Sequence, residues 1–261
     1  MSTSVLSPFN RISGQVSFYY HNLTNGETLA VSPDLPLIAA SVIKLPIMVE
    51  AFSQAHQGLL DLMEPVRISP ADRLPSCGAL TYLHEGVTLP WIDLVTLMII
   101  VSDNTATNLL IERLGIDAIN ATMTRLGLTG SRLNRKLFRP ELSRQGIENR
   151  VTARDMGILL ERIYRGEIVS PEACQKMLEI LSHQQLNGKM PFHLHARGIK
   201  CAHKTGEDSG ITHDVGIVFG PQPFVACYLS NEVEVTEYER LIQDTTLTLL
   251  NNTELDHYKD I

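Results

Sequence analysis

The spacing of apolar residues along the 261-residue chain changes character twice. Near the N-terminus, Gln15-Val16-Ser17-Phe18-Tyr19-Tyr20 has the β-branched and aromatic content of a strand. Asn25-Gly26 follows as a hairpin signal and predicts a return strand from Glu27 to Val31. Leu37 to Phe52 is apolar with few polar interruptions and reads as a buried central helix. Helical spacing then dominates from about residue 55 to 195, with examples at Trp91–Val101, Asn104–Leu114 and Ala153–Tyr164. The last third changes again. Ile199–Lys204, Val215–Phe219 and Phe224–Leu229 read as strands joined by turns such as Gly220-Pro221, and Thr236–Leu250 returns to helical spacing.

Strands at both ends with helices between them predict an α/β fold of the α+β type. Its antiparallel sheet is built from the N- and C-terminal segments and flanked by helices, and a separate lobe is all-helical. A single domain over residues 1–261 is expected, with a sheet lobe from 10–55 and 196–261 and a helical lobe from 56–195. A ligand cleft belongs in the crevice between the lobes.

Composition narrows the functional classes. An apolar fraction of 44% with 20% charged residues is that of a soluble globular protein. A net charge of −7 without any basic cluster excludes a nucleic-acid-binding face. No apolar run reaches the roughly 18 residues of a membrane span. Met1 to Phe9 lacks the basic start and apolar core of a secretory leader. Cys77, Cys174, Cys201 and Cys227 have no metal-site spacing and are expected to be buried thiols. His193-Leu194-His195 lacks a third ligand and reads as a pair of loop histidines. A cytoplasmic monomer without cofactor or metal is expected, periplasmic or secreted if a leader has been removed.

Three polar motifs interrupt the apolar pattern: Ser41-Val42-Ile43-Lys44, Ser102-Asp103-Asn104 and Lys204-Thr205-Gly206. Ser41 and Lys44 are three apart, so on a helix they share a face. A serine hydroxyl needs a neighbouring base, and a lysine becomes one when burial disfavours its charged form. A Ser41 at a helix N-terminus also offers its own backbone N–H to an oxyanion. Pro46 removes a donor and clashes with the carbonyl of Val42, so the first turn is expected to be unusual. Ser102 suits a proton relay to a leaving group, Asn104 a partner for Lys44 and a substrate amide, and Asp103 a brace for the loop. Lys204 and Thr205 suit a substrate carboxylate, Gly206 the close approach of a ligand at a strand end, and the Glu207 N–H a second oxyanion donor. Each motif alone also has a plain reading: a capping serine with a snorkelling lysine, a capping Asp103, and an ordinary strand-to-turn transition.

Taken together and in this order, the motifs resemble the penicillin-recognising serine hydrolases, in particular the class A β-lactamase branch. Ser102 to Gly115 (SDNTATNLLIERLG), the SVIKLP stretch and the closing HKTG strand are all similar to that branch, and the likeness runs from about residue 15 to 250. The resemblance implies a β-lactamase/transpeptidase-like fold and an acyl-enzyme on Ser41. It also implies an acidic residue on a loop before Thr152 that activates the hydrolytic water. Here Arg139-Pro140-Glu141-Leu142-Ser143 aligns with the family's E-P-E-L-N. Arg139 therefore stands in the place of the acid and Ser143 in that of the Asn, and the loop is shorter. Glu141 is the nearest substitute. Glu207-Asp208 follows Gly206 where relatives carry small residues, and His213-Asp214 supplies no Arg to clamp a carboxylate.

The expected activity is β-lactam hydrolysis with slow deacylation. The catalytic candidates are Ser41, Lys44, Ser102 and Glu141, and the substrate-binding candidates Asn104, Lys204, Thr205, Gly206 and Glu207. The substrate is a small molecule, either a β-lactam or a D-amino-acid amide or ester. The alternatives are a D-alanyl peptidase, amidase or esterase, or a sensor acylated by β-lactam without turnover.

Overall fold

The structure, a computed structural model, describes residues 5–75 and 77–257. Residues 1–4, 76 and 258–261 of the expected domain lie outside the described residues. The chain enters through β1 (Gln15–Asn22), β2 (Thr28–Val31) and a short β3 (Leu37–Ile38). A 3-10 turn over Ala40–Ile43 leads into α1 (Lys44–His56). A small hairpin, β4 (Pro65–Arg67) with β5 (Thr88–Pro90), precedes α2 (Trp91–Ile100), α3 (Asn104–Leu114) and α4 (Ile116–Arg125). The one-turn α5 (Pro140–Ser143) and β6 (Arg150–Val151) are followed by α6 (Ala153–Arg165) and α7 (Pro171–Ser182). The chain closes with β7 (Cys201–Asp208), β8 (Ile211–Val218), β9 (Phe224–Asn231) and α8 (Val235–His257).

The five long strands form one antiparallel sheet in the order β2-β1-β9-β8-β7. The N- and C-terminal segments pair directly through β1 and β9, with Phe18 opposite Tyr228, as the sequence pattern requires. All eight residues of β9 are buried, because both faces of the sheet are covered. The two-residue period of a strand then sends alternate side chains to two different cores. Phe224, Ala226 and Tyr228 join Phe9, Phe18 and the α8 residues Tyr238 and Ile242 on one face. Val225, Cys227 and Leu229 join Tyr19, Val215, Ile217 and the helices of the middle segment on the other. Each fully buried large apolar side chain adds roughly 1.5–3 kcal/mol. Gly157 shows how tightly the layers meet: a Cβ there would lie 2.4 Å from the Tyr19 ring, so only glycine lets α6 settle on β1.

Several boundaries differ from the sequence expectation. Leu37 to Phe52 is not one helix but strand, 3-10 turn and helix. Pro46 explains the division. It has no N–H to give to Val42, and in a helix starting at Lys44 it falls in the first turn, where that donor has no partner anyway. Buried thiols are found at Cys174 and Cys227, whereas Cys201 is half-buried and Cys77 is exposed. Among the described residues, no helix is long and apolar enough to cross a membrane.

Candidate active site

Ser41 sits on the 3-10 turn rather than on α1, a correction to the expected helix N-terminus. Short i→i+3 bonds build the turn: the Val42 N–H donates to the Ala39 carbonyl (3.0 Å) and the Lys44 N–H to that of Ser41. Residues three apart eclipse in a 3-10 geometry, so Ser41 and Lys44 still lie on one side. Ala40 just before it has φ +41°, a left-handed conformation that a non-glycine residue adopts only under constraint. Ser41 is half-buried and opens on a cleft of about 630 Å³. Cys77 and Asn104 form one part of its wall, the 135–149 segment another, and Glu207 and Asp208 the end of β7.

Beneath the nucleophile lies a floor of buried polar groups. Lys44 is fully buried, and its Nζ donates to the Ser102 carbonyl (2.8 Å), the Ser102 Oγ (3.0 Å) and the Asn104 Oδ1 (2.9 Å). Lys204, equally buried, donates from Nζ to the same Ser102 Oγ (3.1 Å) and to the Thr205 carbonyl (2.8 Å). With both lone pairs of that hydroxyl taken by amines, its own O–H remains to donate elsewhere. Burial pushes the Lys44 amine well below its ordinary range, and the nearby Lys204 charge adds to the effect. Burial likewise lowers Lys204 to about 7, helped by Lys189. Among the described residues no hydrogen bond joins Ser41 Oγ to Lys44.

Ser102 has φ +55°, a second left-handed non-glycine residue at the site. Asp103 braces it. Its carboxylate accepts from the Ala106 N–H (2.9 Å), capping α3, and from the Ala79 and Leu80 N–H groups (2.7 and 2.8 Å). The plain capping reading and the loop-holding reading are therefore both correct. Gly78 rides over this carboxylate so closely that a Cβ would lie 2.3 Å from it.

Lys204-Thr205-Gly206 lies inside β7, which continues to Asp208 rather than ending at the glycine. Gly206 serves a different close approach from the one expected of it. A Cβ there would meet Ala40 at 3.3 Å and Val42 at 3.2 Å, so the glycine lets the nucleophile turn rest against the edge strand. Thr205 and Glu207 fall on the opposite face by the strand period. Glu207 turns to the buried amine of Lys189, 2.9 Å away, and Lys189 also donates to the His213 carbonyl (3.3 Å). Asp214 is buried under the sheet, 2.8 Å from His203 Nδ1 and accepting from the Met190 N–H. Lys189 supplies a cation near the end of β7 that the search for an Arg overlooked. Nothing in its polar neighbourhood, Asn187-Gly188-Lys189, marks it out.

The 135–149 segment does not bring Glu141 into the cleft. That side chain is half-exposed, lies outside the cleft lining and is bound by the guanidinium of Arg139, two residues back across the start of α5. The Arg139 hydrogen bond holds its carboxyl below the ordinary range. Arg139, Ser143 and Glu148 do line the cleft. Glu148, which sequence reasoning missed, takes the Ser143 hydroxyl on one oxygen and Arg135 on the other.

The sequence pattern of the β-lactamase enzyme family matches residues 3–253, which covers nearly the whole chain. The chain belongs to the β-lactamase enzyme family. As a member it is a serine hydrolase. The β-lactamase of Sphaerobacter thermophilus is 31% identical, with a TM-score of 0.87 over 97% of this chain and 95% of that one. PBP-A is 29% identical at a TM-score of 0.87, over 97% of this chain and 95% of its own, and a point mutant of it has been solved as an acyl-enzyme with penicillin G. Among curated proteins, the β-lactamase VEB-1 of Pseudomonas aeruginosa is 24% identical over 85% of this chain and 80% of its own length. These likenesses agree with the mixed fold, its antiparallel sheet and its flanking helices.

Proposed function

We propose that the protein opens β-lactams by acyl transfer to Ser41 and releases the acyl group slowly. Neutral Lys44 takes the Ser41 proton, directly or through Ser102, as Oγ bonds to the carbonyl carbon. The developing oxyanion lies between the N–H groups of Ser41 and Glu207. As the carbon–nitrogen bond breaks, Ser102 gives its proton to the leaving nitrogen and recovers one from Lys44, so the proton taken from Ser41 ends on the product amine. Lys204 holds the substrate carboxylate and the Asn104 amide its side-chain carbonyl, while Thr205, expected to share the carboxylate, lies on the other face of β7. The observation that carries this reading is the single Ser102 hydroxyl held by two buried amines.

Release requires water activated beside the ester. Among the described residues the cleft offers no uncommitted acid near the loop, since Arg139 occupies the family's position and Glu148 is engaged on both oxygens. The same fact favours a second reading, a β-lactam sensor in which the persistent adduct is itself the signal. Intact-protein mass spectrometry with benzylpenicillin tests the core claim. A single adduct that disappears in Ser41→Ala is expected, and an adduct that survives the substitution contradicts it.

A further inference from the structure

The proton relay in the floor of the cleft spans two separate elements. Ser102 follows the C-terminal end of α2, where the last carbonyls of the helix have no intrahelical donor. Lys204 lies on β7, an outermost strand of the sheet, which turns one row of its backbone groups away from β8. The relay nevertheless holds Ser102 Oγ 3.1 Å from Lys204 Nζ.

Gln184, just beyond the end of α7, bonds to both elements at once. Its side chain is buried, and Nε2 donates to the Ile99 carbonyl (3.0 Å) and to the His203 carbonyl (3.3 Å). Ile99 belongs to the last turn of α2, just ahead of Ser102, and His203 immediately precedes Lys204. The Oε1 accepts from the Gln185 and Leu186 N–H groups (both 3.1 Å), which fixes the orientation of the amide. The same turn tightens the grip. The Gln185 N–H donates to the Ile100 carbonyl (2.9 Å), and Asn187 pairs its Oδ1 with His203 Nε2 (3.0 Å) while its Nδ2 donates to the Gln184 carbonyl (2.9 Å). A buried amide with every partner in place holds those partners at a set separation, because losing any one of them leaves a polar group unpaired. Resting on the acyl-transfer reading above, we infer that Gln184 is a positioning residue that sets the distance between Ser102 and Lys204, and with it the speed of proton delivery to the leaving nitrogen.

The test is a double-mutant cycle on the limiting rate of acylation by benzylpenicillin, followed by mass spectrometry of quenched samples of the full chain. Gln184→Met keeps the length of the side chain and removes both donors. It is expected to lower the limiting rate about tenfold, the scale of a misplaced reacting group. In a Ser102→Ala background, where the relay is already gone, the same change is expected to cost less than about twofold. A residue that merely supports the fold would cost the same in both backgrounds. Gln184→Glu keeps the Oε1 contacts and loses the Nε2 donor; it gives the same pattern and replaces the Met variant if that one does not fold. Gln185→Ala, whose exposed side chain donates to the His183 carbonyl within its own turn, keeps the wild-type rate. An unchanged rate in folded Gln184→Met, or an equal loss in both backgrounds, overturns the inference while leaving the acyl-transfer reading intact. If benzylpenicillin does not acylate Ser41, or if Ser102→Ala is acylated at the wild-type rate, that reading fails and the inference falls with it.

Discussion

The floor of the cleft and its loop wall are built in opposite ways. Lys44, Ser102, Asn104 and Lys204 are all buried, come from three separate segments, and are linked through one hydroxyl. Burial there leaves the amines short of their usual charge, which suits Lys44 to the proposed role of proton acceptor. The loop wall is half-exposed, and its charges satisfy one another: Arg139 with Glu141, and Arg135 with Glu148. Groups paired in this way hold the loop, and their carboxylate oxygens are already engaged by hydrogen-bond donors. A catalytic group is made by withholding its natural partner, and only the floor does so. Fast acylation with slow release is the behaviour this contrast predicts.

The comparison breaks most visibly at Lys44. Replacing it with Ala should lower the acylation rate about 10³-fold, in the range of a lost general base, while the circular dichroism spectrum stays native. A loss of less than tenfold would place the base elsewhere. The loop wall is sharpened by Arg139→Glu, which puts a carboxylate where the family pattern has one. Deacylation should accelerate by about 10²-fold with acylation little changed. Glu141→Gln, in contrast, should alter release by less than about twofold, because it removes only an exposed ion pair. A large effect of Glu141→Gln would show that the carboxylate swings into the cleft.

A smaller effect, about tenfold on acylation, is expected for Gly206→Ala, because the added carbon presses on the Ser41 turn and misplaces the nucleophile. Single-turnover kinetics should show the loss in acylation and none in release. The smallest effect is on stability. Folded Lys204 binds its proton near 7, whereas an unfolded lysine does so near 10.5. Between those values the unfolded chain holds the extra proton, so stability rises with pH. Burial raises the Cys201 and Cys227 thiols above 9.0 and offsets the slope beyond it. Tm should therefore climb from about pH 7 to 9, and Lys204→Met should lessen the rise without abolishing it, because the buried Lys44 amine contributes in the same direction.

The floor was legible in sequence because its chemistry depends on residue type at fixed spacing. Ser41, Lys44, Ser102 and Lys204 could be named from three motifs, and Asp103 from its place at a helix start. The strands of the sheet were equally readable, since β1 and β9 carry apolar content on both faces. The loop wall was not readable. Whether Glu141 faces in or out depends on the turn at Phe138, which has φ +56°, and on which acid each arginine selects. Neither leaves a trace in residue spacing. Lys189 and Glu148 were missed for the same reason: each gains its meaning from partners that no motif spacing links to it.

The most direct test of the central claim is the time course of the Ser41 adduct with a chromogenic cephalosporin, followed by stopped flow and by mass spectrometry of quenched samples. The account predicts a burst close to one equivalent of chromophore, a near-complete adduct, and a much slower steady state. Rapid turnover with no burst and no accumulated adduct would contradict it.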